Sequence, residues 1–201
     1  LIVSQEGIPV AVINGAHGGQ EIGFFQRDGG NTRSLMTNYG RLLHRVRQAG
    51  LQNGLRGAFF YQGEADVDDG PIHDIGFREM RGDWQKDYPT LEHTFVFQVR
   101  EGCDGVSRFS LALRDVQRRF ADRFSNLSVM ASNALNSHDG CHFAFTGGYE
   151  NLGFHIYRQA ASKLYGGTSH NVNPPNPASV QLGGTDKLKI TFRNVTANYV
   201  Y

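Results

Sequence analysis

The chain has 201 residues, of which 39% are hydrophobic and 11% aromatic, enough for one sizeable core and only a small second unit. Its 20 basic and 19 acidic side chains give a formal net charge of +1, which excludes recruitment of nucleic acid or an anionic membrane surface by charge. No run approaches the ~18–20 consecutive apolar residues of a membrane span. The partner we expect is a small or neutral molecule.

The N-terminal stretch "LIVSQEGIPVAVING" has neither the basic region nor the cleavage site of a signal peptide. It is typical of the interior of a domain, so we expect the chain to begin late in its domain. Two cysteines, Cys103 and Cys141, allow at most one disulfide, and neither stands in a C-x-x-C pair. Whether they pair, and in which redox compartment, stays open.

Short β-branched or aromatic runs and helical periods alternate along the first 165 residues. The runs predicted to be buried strands are Ile8 to Ile13, Leu55 to Tyr61, His93 to Val99 and Leu127 to Ala131. Apolar spacings of three and four predict helices over Tyr39 to Val46 with a stop at Gly50, over Phe109 to Phe124, and over Gly148 to Tyr165. This alternation predicts an α/β fold whose parallel sheet is covered on both faces.

The composition changes after the last predicted helix. "GGTSHNVNPPNPASVQLGG", residues 166–184, is rich in Gly, Pro, Asn and Ser and indicates a linker or a surface crossing. "KLKITFRNV" then alternates like a strand with one exposed face. We therefore expect a main domain over 1–167, followed over 168–201 by a linker and a short C-terminal β segment that docks on it or starts a β unit continuing past Tyr201.

In an open parallel sheet, binding groups collect in loops at the carboxyl ends of the strands. The first such loop, "NGAHGGQE", contains Gly18 and Gly19, whose unshielded backbone N–H groups suit a developing oxyanion, although a tight turn before a helix gives the same pattern. The second, "QGEAD", places Gln62 and Glu64 at the end of an apolar strand. Gln62 is a candidate oxyanion donor and Glu64 a candidate acceptor for loop N–H groups, the alternative being a polar strand end with a helix-capping acid.

The third loop leads into "HDGCHFAFTGGYENLG", where Asp139 lies three residues before His142. In a turn this spacing lets the carboxylate accept from the Nδ1–H of the imidazole and leaves Nε2 free as a base. Surface turns also produce the pattern by chance. Cys141 is interpreted as a small buried side chain. The remaining histidines lack such a partner and are interpreted as solvated or core-edge residues: His44, His73, His93, His138, His155 and His170.

Three blocks, taken in order, resemble the SGNH, or GDSL-like, hydrolases, and specifically their sialate O-acetylesterase-like branch of carbohydrate acetylesterases. They are "PVAVINGAHGGQEI", "LRGAFFYQGEAD" and "DGCHFAFTGGYENLG", and the resemblance covers about residues 8 to 165. "YQGEAD" is the most specific block, because general SGNH enzymes carry an asparagine where this branch has the glutamine of Q-G-E.

The resemblance implies a flavodoxin-like three-layer α/β/α sandwich, and hydrolysis of acetyl esters on sugars by a Ser-His-Asp triad without metal or other cofactor. It implies His142 as the general base, Asp139 as its orienter, Gln62 as a side-chain oxyanion donor and Gly18 or Gly19 as a backbone donor. By family analogy such an esterase meets its acetylated carbohydrate outside the cytoplasm, in a secreted or periplasmic location. Phe60 and Gln20 depart from the usual W-Y-Q-G-E and G-G-T patterns, which blurs substrate specificity.

The family's nucleophile lies in a G-x-S-N block after the first strand, upstream of the segment that "PVAVINGAHGG" resembles. Ser4 has neither that glycine nor that asparagine, and no other serine follows a strand in that context. We therefore expect the first strand, the nucleophile loop and its serine to belong to an upstream N-terminal segment. Two alternatives stay open: a catalytically inactive carbohydrate-binding module of the same fold, and a lipid or thioester hydrolase of the superfamily.

Overall fold

The computed structural model describes residues 1–66, 68–101, 108–133, 135–167 and 172–193. Within them, the strands are β1 (Gly57–Tyr61), β2 (His93–Gln98), β3 (Leu127–Ala131), β4 (Asn176–Leu182) and β5 (Leu188–Arg193). The α-helices are α1 (Asn38–Gln48), α2 (Gly70–Asp87), α3 (Arg108–Arg118), α4 (Phe120–Arg123) and α5 (Glu150–Leu164). No helix in this part of the chain is long and apolar enough to cross a membrane.

The first three strands form one parallel sheet in the order β1-β2-β3. Gly57 lies opposite His93, and Thr94 lies opposite Leu127. Parallel neighbours need a crossover, which α2 supplies between β1 and β2 and which α3 with α4 supplies between β2 and β3. Three of the four strands predicted for the sheet, and their parallel arrangement, are confirmed.

Alternating side chains of the sheet enter two different cores. Phe60, Val96 and Val129 point to one face and pack in a core that includes side chains of α1, α2 and α4. Phe95 and Phe97 point to the opposite face, where α5 packs against them in two smaller clusters. Helices therefore cover both faces, and the α/β fold expected from the sequence is confirmed as a three-layer arrangement, joined by a small antiparallel sheet at the C-terminal end.

The run Ile8 to Ile13 is not a strand, and that prediction is wrong. None of its backbone groups makes a ladder hydrogen bond within the described residues, and Val12 is 86% exposed. A β-branched run has the local preference for extended backbone, but a strand also needs a neighbour with which to exchange hydrogen bonds. The segment has no regular secondary structure and leads to the Gly18-Gly19 loop.

Two helical features differ from the prediction. Helix α2 was not predicted, although Asp69 caps it by accepting from the N–H of Ile72 at 3.1 Å and Pro71 occupies its first turn. Its buried side chains His73, Phe77, Met80 and Trp84 are spaced four, three and four residues apart. The single helix predicted over Phe109 to Phe124 is interrupted at Arg119, between α3 and α4.

The C-terminal hairpin corrects the prediction of a linker over 166–184. Strand β4 lies inside that stretch and pairs antiparallel with β5. Of these two strands, the sequence predicted only β5. Arg118 on α3 donates to the side chain of Asn176, and Arg193 pairs with Asp122 at 2.8 Å. The assignment of 168–201 as a separate unit stays a prediction.

Candidate active site

The turn that contains Asp139 and His142 is closed by the backbone and by one carboxylate. His138 and Phe143 form an isolated antiparallel bridge, and the N–H of Asp139 donates to the carbonyl of His142 at 3.0 Å. Oδ1 of Asp139 accepts from the N–H groups of Cys141 and His142 at 2.9 and 2.7 Å. Oδ2 lies 3.4 Å from Nδ1 of His142. The structure therefore brings the predicted carboxylate and imidazole together.

Backbone contacts also control the charge of this carboxylate. The N–H groups of Cys141 and His142 are the main reason that the pKa of Asp139 is lowered from 3.8 to about 2. The side chains of His142 and Asp139 are 77% and 67% exposed. They border an open concavity of about 460 Å³ lined by Ser137, His138, Asp139, His142, Phe143 and Ala144. An ionised acceptor beside an exposed imidazole can fix a tautomer while Nε2 faces incoming reactants.

Arg100, which follows β2, attaches this turn to the carboxyl end of the sheet. Its guanidinium donates to the carbonyl of Gly140 at 2.9 Å and lies 2.6 Å from Nε2 of His138. Sequence reasoning missed Arg100, and the only available signal was its position just beyond a predicted strand. His138, which we interpreted as partnerless, is in contact with Arg100.

Gln62 is buried at the carboxyl end of β1, and both hydrogens of its amide nitrogen are donated in hydrogen bonds. Nε2 donates to the carbonyl of Gln20 at 3.0 Å and to Oδ2 of Asp66 at 2.6 Å, while Oε1 has no hydrogen-bond partner among the described residues. Gly63 follows with φ of 140°, and a Cβ there would lie 2.8 Å from Nε2 of Gln117. The glycine of Q-G-E is therefore required both by its backbone and by a close neighbour.

Glu64 begins a short 3-10 turn, Glu64–Asp66. Burial raises the pKa of its carboxyl above the usual value. The predicted role of Glu64 in accepting loop N–H groups stays a prediction.

Asp66 and His73, which the sequence reasoning did not select, are both buried behind Gln62. Asp66 is 6% exposed, His73 is completely buried, and Oδ2 of Asp66 lies 2.9 Å from Nδ1 of His73. The interpretation of His73 as a solvated or core-edge residue without a carboxylate partner is wrong. The seven-residue spacing places the two residues on different elements, so only the fold, not a turn, brings them together.

The Gly18-Gly19 segment lies on the surface. No heavy atom lies within 4 Å of the position that a Cβ would take at either glycine, and Gly19 has φ of +68°. Its neighbour Gln20 contacts Gln62, so the first and second loops meet here. The backbone N–H groups at Gly18 and Gly19 are therefore open to approach, which an oxyanion donor requires.

No serine in the described part of the chain is hydrogen-bonded to His142. The hydroxyl of Ser132 donates to the carbonyl of Gln98 at 2.8 Å, and that of Ser128 lies 2.8 Å from Nε2 of His93. The hydroxyl of Ser4 donates to the carbonyl of Leu1 at 3.1 Å.

Cys141 carries no free thiol, and Cys103 lies outside the described residues. The described residues also contain no group of three or more His, Cys, Asp or Glu arranged to hold a metal ion.

A protein-family model matches the chain over residues 1–162. The family is described as "Carbohydrate esterase, sialic acid-specific acetylesterase". The chain belongs to this family. The resemblance inferred from the three loop blocks is therefore confirmed. The matched range includes the parallel sheet, the Asp139–His142 turn and most of α5.

Solved structures include a similar fold from a plant. A protein of Arabidopsis thaliana, solved by X-ray crystallography at 1.6 Å resolution, superposes with a TM-score of 0.58 at 19% sequence identity. The match covers 72% of this chain and 58% of the Arabidopsis chain. This likeness supports the α/β fold. No curated protein matches the chain.

Proposed function

We propose that the protein is a carbohydrate O-acetylesterase that removes acetyl groups from sugars of the sialic acid or xylan type by a Ser-His-Asp mechanism. The observation that supports this most directly is the Asp139–His142 pair, in which a carboxylate held by two backbone N–H groups faces Nδ1 of an exposed imidazole. In this proposal His142 takes the proton of a serine hydroxyl through Nε2 and returns it to the leaving sugar oxygen, while Asp139 stays ionised.

The oxyanion formed on the acetyl carbonyl is assigned to Gln62 and to the backbone of Gly18 or Gly19. Both hydrogens of the Gln62 amide are occupied, one by Gln20 and one by Asp66. To act as a donor, Gln62 has to redirect the hydrogen that Gln20 now holds. The second hydrogen of the amide stays bonded to Asp66 while the first moves from Gln20 to the oxyanion. The side chain is therefore already held near the orientation it needs, which favours transition-state stabilisation.

We propose that the nucleophilic serine comes from outside these 201 residues, on an upstream N-terminal segment. The serines described near the sheet are engaged with backbone or with His93, and none contacts His142. The same observation favours a second candidate function, an inactive carbohydrate-binding module that keeps the site without the serine. A protein of either kind acts on glycans, for which an extracytoplasmic location is the expected setting.

A hydrolysis assay distinguishes the acetylesterase from the inactive carbohydrate-binding module. In the protein that carries the upstream segment, we expect release of acetate from an aryl acetate and from an O-acetylated sugar, with no loss on incubation with EDTA. The reason is that the assigned base, orienter and oxyanion donors require no metal. His142→Ala is the matched inactive control. Sugar binding without hydrolysis would establish the binding module, and activity lost to EDTA and recovered with zinc would contradict the mechanism.

A further inference from the structure

Asp66 is a buried carboxylate that the proposed mechanism does not use. It accepts the backbone N–H of Ile22 through Oδ1 and Oδ2 at 3.0 and 3.1 Å. Oδ2 also accepts from Nε2 of Gln62 at 2.6 Å and contacts Nδ1 of His73 at 2.9 Å. One carboxylate thus joins the segment after Gly18-Gly19, the end of β1 and helix α2.

Two backbone contacts of Gln117 fix which side of its amide is nitrogen, and this in turn fixes the tautomer of His73. Its Oε1 accepts the N–H of Val99 at 2.8 Å, and its Nε2 donates to the carbonyl of Gln62 at 2.9 Å. The nitrogen side of the amide therefore faces Nε2 of His73, 3.3 Å away. Because that ring nitrogen has to accept, the proton of a neutral His73 is on Nδ1 and is donated to Asp66.

The hydrogen bonds also keep Asp66 in its charged form. Burial alone raises the pKa of the carboxyl, but the hydrogen bonds from His73, Gln62 and Ile22 together lower it below its usual value. An ionised carboxylate accepts only, so each donor around it has a fixed direction. The Gln62 amide consequently turns its nitrogen toward Asp66 and Gln20.

We propose that Asp66 is a positioning residue of the esterase site: together with His73 and Gln117, it holds one hydrogen of the Gln62 amide and the backbone N–H of Ile22 in place, so that the other hydrogen of Gln62 can pass from Gln20 to the oxyanion. This inference rests on the proposed function. Gln20 and Ile22 lie about forty residues before Gln62 in the sequence, yet Asp66 bonds both Ile22 and Gln62 and is linked to Gln20 through the Gln62 amide. A buried charged cluster is weak evidence of added stability, because apolar residues of similar volume stabilise a core at least as well. Fixed geometry at the two candidate oxyanion loops is what the cluster adds.

Asp66→Asn tests the role in the protein that carries the nucleophile segment. In either orientation the new NH2 group faces a donor, either the N–H of Ile22 or the donors of Gln62 and His73. We expect kcat to fall by roughly 10- to 100-fold, with KM changed little, because part of an oxyanion-donor contribution is lost. Asp69→Asn is the matched control: Asp69 caps α2 three residues away, and asparagine caps equally well, so both constants should stay at the wild-type level.

Gln117→Met is the second variant, for the case in which Asp66→Asn does not fold. It removes the donor to His73 and also the partner of the Val99 N–H and of the Gln62 carbonyl, and in the folded variant we expect a fall in kcat with KM unchanged. A folded Asp66→Asn or Gln117→Met protein with wild-type kcat, or with full kcat and a raised KM, overturns the positioning role.

A measurement that needs no activity addresses the cluster itself. Nitrogen-15 NMR of the imidazole should show His73 as the Nδ1–H tautomer in the wild-type chain and also in Gln117→Met, because the ionised Asp66 still accepts that proton. An Nε2–H tautomer in the wild type overturns the arrangement whatever the hydrolysis assay gives. Absence of hydrolysis by the wild type counts against the proposed function, whereas hydrolysis that Asp66→Asn leaves intact counts against the positioning role alone.

Discussion

Asp139 shows how a turn, and not burial, sets the charge of a single residue. The carboxyl is mostly exposed, yet the N–H groups of Cys141 and His142 lower its pKa from 3.8 to about 2, with the His142 side chain contributing less. Because the pKa is lower in the folded chain, the turn gains stability above pH 3.8 and loses it as the pH falls toward 2. The Asp139–His142 geometry is therefore intact throughout the neutral range.

This ranking of causes makes a prediction about His142→Ala. The backbone N–H groups remain in the variant, so we expect most of the depression of the Asp139 pKa to persist. Titration of the Asp139 carboxyl carbon by carbon-13 NMR measures it. If the pKa of Asp139 returns to 3.8 in His142→Ala, the imidazole and not the turn fixes the carboxylate.

Gln62→Ala tests the assigned oxyanion donor. We expect kcat to fall by roughly 10²–10³ with KM changed little, because an oxyanion donor acts on charge that develops only in the transition state. His142→Ala should lose more, since it removes the base itself. Steady-state kinetics on an aryl acetate gives both constants, and a variant with full kcat and a raised KM would show that Gln62 binds substrate instead.

At the scale of elements, the packing of α2 against the 3-10 turn Ile22–Phe25 depends on one glycine. A Cβ at Gly76 would lie 2.8 Å from Cγ1 of Ile22. The Ile22 side chain is buried, and Cγ1 is attached directly to its Cβ, so this atom lies close to the backbone. Gly82, in the same helix, has no heavy atom within 4 Å of its Cβ position. The same substitution therefore has opposite consequences at two positions of one helix.

We expect Gly76→Ala to destabilise the fold by about 1–3 kcal/mol, because overpacking has to displace Ile22. Gly82→Ala should stabilise it by about 0.5–1 kcal/mol through the helix propensity of alanine. Urea unfolding followed by circular dichroism measures both free energies of unfolding. Equal effects of the two substitutions would contradict the close contact at Gly76. Since the N–H of Ile22 donates to Asp66, Gly76→Ala should also disturb Gln62.

The elements that could be predicted from the sequence are those whose signal is local. β2 and β3 are short runs rich in β-branched, aromatic and other apolar residues, α1 has a capping Thr37 and a clear period, and Asp139 with His142 share one turn. Ile8 to Ile13 has the same local signal as β2 but no strand beside it, so composition cannot separate the two. The Asp66–His73–Gln117 cluster depends on a contact between residues 44 positions apart, which no short motif carries.

At the scale of the whole molecule, the position of the nucleophile decides how the proposed mechanism works. The described residues provide an imidazole, its carboxylate, and candidate oxyanion donors at the same edge of one sheet. A serine that completes the triad has to approach Nε2 of His142 within about 2.6–3.2 Å, or somewhat more without ligand. The described serine hydroxyls with assigned partners are directed elsewhere, two of them in buried residues of the sheet region.

We therefore expect a fluorophosphonate probe to label the full protein on a serine outside these 201 residues, and the label to disappear in His142→Ala because the serine loses its base. Peptide mapping by mass spectrometry locates the modified residue. A label on Ser4, Ser179 or any serine between them would place the nucleophile inside this chain and refute the proposal. The Asp139–His142 pair would then have to reach that serine by a rearrangement, since Oδ2 and Nδ1 already fix which side of the imidazole faces outward. Labelling that persists in His142→Ala would show instead that the serine reacts without this histidine, which separates the location of the nucleophile from the identity of its base.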